Sequence, residues 1–337
     1  MRIHKFSTVD AFVAIDLDDA ERSVGIVRRA RKILQGGAKD LARSQTYAFA
    51  AHELEYGGAS AGINGIGEGS EDAPSAFAAE AADLVATGTF LPDPGKGMTE
   101  ADLAPLRAAD PRNTAADQAV LTAASVAGSL EAALGVLDGR TIAIEGFENG
   151  GAEVAKAVVG RGAKVTAVAT SAGMVANTYG LDVNAMADAF GRMGPGFIDE
   201  FGDVKTAHFI AGAETDGLTY ASKMGALNHQ AAGFVKAKAV ATAAPMVMTA
   251  KALAVLRRAD VLALPDFVTT AGPIVGWEAA GGTPADALTA QAAAAAGAII
   301  DEVRDHPDGP LLGACYKAEA FLGTWQEQLP FGRPLAP

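Results

Sequence analysis

The sequence predicts an α/β protein of two domains, one of them built on a doubly wound parallel sheet. Three observations carry this. The chain has 337 residues, and at roughly 150 residues per domain that suggests two. Hydrophobic residues make up 50% and charged residues 20%, a globular mix able to bury a large core. Between residues 141 and 169 a short apolar run, a glycine-rich turn, a helical pattern and a second apolar run follow one another, as in a parallel sheet with crossover helices.

The elements follow in order. Ala11 to Asp16 and Ser23 to Val27 read as strands, and Ala38 to Glu53 as a helix with Leu41, Ala48 and Ala51 at helical spacing. The run Gly57-Gly58-Ala59-Ser60-Ala61-Gly62 is too glycine-rich for a helix interior and reads as a loop. Ser75 to Ala86 reads as a helix, and the prolines of Leu91 to Gly95 read as a loop. Thr114 to Leu137 is a long Ala- and Leu-rich helix. Thr141 to Glu145 is a buried strand, Gly146 to Gly151 the turn, Ala152 to Val159 a helix and Val165 to Ala169 the next strand. His208 to Ala211, Ala237 to Val240 and Val261 to Leu264 are further candidate strands, and Ala285 to Arg304 is a long Ala-rich helix.

Charge and composition exclude several functions. Lys plus Arg is 27 and Asp plus Glu is 40, giving a net charge of −13 that repels nucleic-acid backbones and anionic membrane surfaces. One cysteine, Cys315, rules out an intrachain disulfide, and the five histidines have no zinc-ligand spacing, so no metal is expected. The N-terminus lacks the apolar stretch of a signal peptide, and no run is long enough to span a bilayer. The expected protein is cytoplasmic and acts on a small molecule.

Five stretches, taken together and in order, resemble the glutamate/leucine/phenylalanine/valine dehydrogenase superfamily. They are Thr46 to Ser60, Pro92-Asp93-Pro94-Gly95, Asp138 to Phe147 followed by Asn149, Gly180-Leu181-Asp182-Val183, and Pro265-Asp266 through Thr270-Ala271-Gly272. The resemblance implies an N-terminal substrate and oligomerisation domain over 1–120, a Rossmann-like domain over 121–283, and C-terminal helices over 284–337 that pack back on the first domain. It further implies a cleft between the domains, NAD or NADP as cofactor, and a homo-oligomer.

The resemblance also locates departures. The family's carboxylate-gripping lysine falls at Ala48 and its second, water-activating lysine at Ser60. A serine does not replace a cation that faces a carboxylate or a developing oxyanion, a contact worth roughly 2–4 kcal/mol. The proton-shuttling aspartate matches Asp93. In the cofactor turn, Gly146, Phe147, Asn149 and Gly151 are kept, but the middle glycine that lets backbone approach the pyrophosphate is Glu148. The acidic residue for the ribose hydroxyls is Thr170, followed by Ser171. The asparagine of the last motif is Thr270, and Gly-Ala-Asn near the nicotinamide reads Thr242-Ala243-Ala244. Glu148 and Thr170 weaken the expectation of NAD or NADP.

The candidate catalytic residues are therefore Asp93, Ser60 and Tyr47, the last as acid or oxyanion donor. Each has a bland counterpart: a turn aspartate, a filler serine and a core tyrosine. His52 and Glu55 read as a solvated helix end, Asn149 as a helix cap, Asn228 as a cap before His229, and Lys223 as a surface lysine or one cation returned to the cleft. The candidate cofactor residues are Gly146, Phe147, Glu148, Asn149, Gly151, Thr170, Ser171 and Thr270. Three functions fit this degenerate site: an NAD(P)-dependent oxidoreductase acting on something other than a simple α-amino acid, a cofactor-independent lyase, hydratase or isomerase, and a non-catalytic ligand-binding or partner paralogue.

Overall fold

A computed structural model describes residues 1–335. The chain divides into two compact units, residues 1–112 with 315–334, and residues 113–314 with Leu335.

The first unit holds a five-stranded sheet of β1 (Arg2–Lys5), β2 (Ala11–Ile15), β3 (Ser23–Ala30), β4 (Gly57–Asn64) and β5 (Leu91–Pro94), in the order β1-β2-β4-β3-β5. Helices α1 (Gln35–Ala51), α2 (Ala73–Ala86) and the short α3 (Glu100–Leu103) complete it. Two expected loops are strands. The glycine-rich run is the central strand β4, antiparallel to β2 and parallel to β3. Glycine is required there by close approach: a Cβ on Gly58 would lie 1.9 Å from the Ala42 carbonyl of α1, and one on Gly25 in β3 would lie 1.6 Å from the Ala59 carbonyl. The run Leu91–Pro94 is β5, pairing only with β3 at the sheet edge, where proline's missing N–H is tolerated.

A buried polar clamp ties α1 to this sheet. Arg43 Nε and Nη2 donate to the two carboxylate oxygens of Asp16 at 2.7 and 2.8 Å. Thr46 Oγ1 donates to Asp16 Oδ2 at 2.7 Å and accepts the Gly58 amide at 2.9 Å.

The second unit opens with α4 (Gln118–Leu134), capped by Asp117, whose side chain accepts from the amides of Ala119 and Val120. Its six-stranded sheet comprises β6 (Thr141–Glu145), β7 (Lys164–Thr170), β8 (Gly173–Ala176), β9 (Gly217–Tyr220), β10 (Ala239–Thr242) and β11 (Leu262–Ala263). The order is β11-β10-β9-β6-β7-β8, all parallel except β8, which turns back antiparallel on β7. Helices α5 (Gly151–Val159), α6 (Val183–Met193), α7 (His229–Ala232), α8 (Ala250–Arg258), α9 (Asp266–Thr269), α10 (Gly272–Glu278) and α11 (Ala285–Val303) accompany it, and α12 (Pro310–Leu322) contains the division between the units. Ala143, Ala167, Leu218, Val240, Leu227 and Leu256 share its core.

The expected strand His208–Ala211 is a 3-10 turn, Ala207–Gly212. Phe209 is 57% exposed, and the place beside β6 is taken by β9. The helix α11 stays in the second unit instead of returning to the first: Leu288, Ala292 and Ala293 bury against Leu121 and Ala124 of α4. Gly128 makes that contact close, since a Cβ there would fall 2.2 Å from the Ala293 carbonyl. Only residues 315–334 group with the first unit.

Candidate functional site

The candidate residues of the first unit are all buried. Ala48, at the family's first lysine position, is 3% exposed and part of the core. Ser60 sits in β4 between Ala14 of β2 and Ile26 of β3, wholly buried, and its Oγ has no hydrogen-bond partner among the described residues. Tyr47 donates its hydroxyl to Glu319 Oε1 at 3.0 Å. Burial, and then the Glu319 carboxylate, push the Tyr47 phenol well above its usual range. Glu319 is in turn held by Nε and Nη2 of Arg333 at 2.6 and 2.8 Å.

Asp93 lies in β5 and is 3% exposed. Its Oδ2 meets Arg112 Nη1 at 2.7 Å, and its Oδ1 lies 3.9 Å from Arg107 Nη2. Arg112 also donates to both oxygens of Asp110, at 3.0 and 2.7 Å, and to the Pro92 carbonyl. Burial opposes ionisation of Asp110, but the hydrogen bonds and charge of Arg112, with Arg107 behind, outweigh it and leave its carboxyl below the ordinary value. The run Arg107-x-x-Asp110-x-Arg112 was visible in the sequence, but nothing in it marked these side chains as folding back onto Asp93.

His52 is not a solvated helix end. Burial, and then the nearby Lys317, push its imidazole down to about 4, and its Nε2 has no hydrogen-bond partner among the described residues.

In the second unit, β6 runs into Gly146, a left-handed residue at φ 77° where a Cβ would come within 2.8 Å of the Ser222 amide nitrogen. A 3-10 turn, Phe147–Asn149, follows; then Gly150, at φ 98°, leads into α5. Gly151 packs back on the turn, where a Cβ would lie 2.8 Å from the Gly146 carbonyl. Phe147 is wholly buried, its ring 5.2 Å from that of Phe197, so its side chain packs the core. Asn149 is not the helix cap; Gly150 holds that position and α5 has no side-chain cap. Asn228 does cap α7, accepting from the amides of Gln230 and Ala231.

The Glu148 side chain reaches from this turn to the end of β7. Its Oε1 accepts the Ser171 amide at 2.7 Å, while its Oε2 is buried without a hydrogen-bond partner among the described residues. Glu145 lies close by, its Oε2 accepting from the amides of Ser222 and Ala221 at 3.2 and 3.3 Å. Burial raises the Glu145 carboxyl above its ordinary value, and the charge of Glu148 adds to this. Thr170 points elsewhere: its Oγ1 donates to the Pro195 carbonyl at 3.0 Å and accepts the Ala172 amide at 3.1 Å. Thr270 donates back to the Asp266 carbonyl at 2.8 Å. Thus Gly146, Glu148, Gly151 and Ser171 lie together at the carboxyl ends of β6 and β7, whereas the side chains of Phe147, Thr170 and Thr270 are committed to their own surroundings. Among the described residues no group of three His, Cys, Asp or Glu could hold a metal ion, and no helix is long and apolar enough to cross a membrane.

Residues 114–277 match the family model of the Glutamate/Leucine/Phenylalanine/Valine dehydrogenases. The match lies within the second unit and makes that unit similar to the family. The chain is 29% identical over 143 residues to an NADP-specific glutamate dehydrogenase of Saccharolobus shibatae, covering 42% of this chain and 34% of that protein. It is 30% identical over 142 residues to a glutamate dehydrogenase of Aeropyrum pernix, with the same coverage. These matches span about a third of the relatives' length. Among solved structures, it resembles hetero-hexameric glutamate dehydrogenase from Thermus thermophilus in a Leu-bound form, with 22% identity, a TM-score of 0.78, and coverage of 91% of this chain and 82% of that one. L-tryptophan dehydrogenase from Nostoc punctiforme follows at 18% identity and a TM-score of 0.66, covering 96% and 94%. The two-domain α/β fold is therefore that of the amino-acid dehydrogenases.

Dehydrogenases of this family use NAD or NADP, and two features of the second unit fit such a group. Gly150 opens onto free space, since a Cβ there would meet nothing within 4 Å, at the N-terminus of a helix that favours phosphate charge. The unpartnered Oε2 of Glu148 is a buried acceptor at the end of β7.

Proposed function

We propose that this chain is an NAD(P)-dependent oxidoreductase of amino-acid-dehydrogenase type whose substrate is an alcohol, carbonyl or imine compound other than a simple α-amino acid. A bound nicotinamide supplies the two-electron oxidising or reducing equivalent. The observation that carries the reading is the buried pair of Asp93 and Arg112. Oxidative deamination needs a carboxyl that gives and takes a proton beside two ammonium groups. Here both ammonium positions are small buried residues, and the carboxylate of Asp93 is held in a buried contact with the guanidinium of Arg112. A substrate that presents its own carboxylate finds no lysine at position 48 or 60 to neutralise it. Gly150, Gly151 and the carboxylate of Glu148 are the parts that hold a dinucleotide.

The test is thermal-shift titration with NAD and NADP followed by turnover assays on a panel of alcohols, aldehydes, ketones and cyclic imines beside α-amino acids. Dinucleotide binding with turnover confined to the non-amino-acid members supports the reading. Amino-acid turnover at an ordinary rate, or no dinucleotide binding at millimolar concentration, overturns it.

A second reading, a non-catalytic paralogue that assembles with copies of itself or with a true dehydrogenase subunit, is favoured by one observation: Asp93, Ser60 and Tyr47 are all at most 3% exposed. It gains support from the hetero-hexameric assembly of the Thermus thermophilus relative. It predicts a defined oligomer and no turnover of any substrate.

A further inference from the structure

We infer that Glu148 is this chain's acceptor for the adenosine ribose of a dinucleotide, and that it selects NAD over NADP. The inference rests on the proposed reading that a nicotinamide dinucleotide binds the second unit.

In a doubly wound sheet the ligand lies outside the carboxyl ends of the strands, and an acidic residue at the end of the second strand of the nucleotide half accepts hydrogen bonds from the ribose diol. The strand in that place is β7, and its terminal residue, Thr170, cannot supply a carboxylate. Its hydroxyl is also occupied, bonded to Pro195 and Ala172. A carboxylate is nevertheless present at that strand end. It arrives from the turn after β6 and is fixed there by the Ser171 amide at 2.7 Å.

The other oxygen decides the role. Glu148 Oε2 is removed from solvent and has no hydrogen-bond partner among the described residues. Leaving a buried carboxylate oxygen unpaired is costly, about 1–3 kcal/mol or more for a charged group. One oxygen anchored by backbone and one left open is the arrangement of an acceptor awaiting a donor, and a ribose diol supplies two O–H groups. Charge-assisted O–H···O⁻ bonds of this kind are about twice as strong as neutral ones.

The same carboxylate repels a 2′-phosphate. The turn Thr170-Ser171-Ala172-Gly173 has no lysine or arginine to neutralise one, and Glu145 adds a second carboxyl to the neighbourhood. The glycine lost at position 148 is offset at position 150, where the left-handed backbone opens onto free space beside the start of α5. The Glu148 side chain leans to the end of β7, where its Oε1 accepts the Ser171 amide.

The experiment measures dissociation constants for NAD and NADP by thermal shift and intrinsic fluorescence on the full chain and on three variants. The wild type is expected to bind NAD at least tenfold tighter than NADP. Glu148→Gln, which keeps the shape and the Ser171 contact but removes the charge, is expected to weaken NAD about tenfold and to narrow the gap to NADP. Glu148→Gly should weaken NAD further, and adding Thr170→Asp to it should restore part of the loss. Tighter NAD binding by Glu148→Gly than by the wild type overturns the inference, because the side chain would then be an obstacle. Equal NAD and NADP affinities in the wild type, or unchanged NAD affinity in Glu148→Gln, also overturn it while leaving the dinucleotide reading intact. If the wild type binds neither dinucleotide at millimolar concentration, both fall.

Discussion

Asp93 and Arg112 are 19 residues apart in sequence and meet at 2.7 Å in a region almost closed to water. The carboxylate that the sequence resemblance matches to a proton carrier is here one end of a buried ion pair. Arg112 is itself shared with Asp110, so the pair belongs to a small network rather than standing as an isolated contact. Removing one partner of such a network strands the other charge in the interior. Arg112→Leu should therefore lower stability by about 3–5 kcal/mol, and Asp93→Asn by somewhat less because it keeps a hydrogen-bonding shape. Chemical denaturation with a far-ultraviolet probe reads both. A loss under 1 kcal/mol for Arg112→Leu would show that the pair is solvated.

Restoring the missing cations should not restore the family's reaction. Ser60 is wholly buried in the central strand and Ala48 is in the core, so the double variant Ala48→Lys/Ser60→Lys places two ammonium groups where water does not reach. The expected outcome is a loss of several kcal/mol and no oxidation of glutamate. Gain of glutamate turnover in a folded double variant would show that the two substitutions alone account for the change of role.

The close approach of α1 to β4 is predicted to be intolerant. Gly58→Ala would set a methyl 1.9 Å from the Ala42 carbonyl, and backbone on both sides must shift to admit it. Such overpacking costs about 1–3 kcal/mol or more. Gly36→Ala, where a Cβ meets nothing within 4 Å, is the control and should be neutral or slightly stabilising. A near-neutral Gly58→Ala would contradict the placement of β4.

His52 supplies a pH signature. Its imidazole is lowered to about 4 in the folded protein, against about 6.5 in an unfolded chain. Between those values the unfolded state binds the extra proton, so stability is present above about pH 6.5 and is lost as pH falls towards 4. A shift of this size corresponds to roughly 3 kcal/mol. His52→Leu should remove that part of the pH dependence while leaving the rest. The measurement is the stability difference between the two proteins at pH 7 and pH 4.5; an unchanged difference would mean that His52 protonates freely.

Much of the fold was legible because its signals are local. The run from Thr141 through the glycine turn to Ala169 is a short-range pattern, and the structure places β6, α5 and β7 there. The failures share a cause. Glycines in β4 and prolines in β5 suggest loops to any local rule, and become strands because a helix packs on one and the other is a sheet edge. Apolar His208 to Ala211 looks like a strand until β9 occupies the place it would need. The site was legible as a list of replaced residues but not as contacts. The Arg112 that meets Asp93 and the Ser171 amide that holds Glu148, 23 residues away, depend on how separate segments meet. From sequence alone Glu148 could be weighed only as bulk and charge at a glycine position; its direction is a property of the fold.

The central proposal is that this chain, whose second unit is similar to the Glutamate/Leucine/Phenylalanine/Valine dehydrogenases, does not carry out oxidative deamination. The most direct measurement is NADH formation from glutamate, leucine, phenylalanine and valine by the purified full chain at saturating NAD. The account predicts no rate above background for any of the four. A kcat in the ordinary enzymatic range of about 1–10³ s⁻¹ with any of them would contradict it.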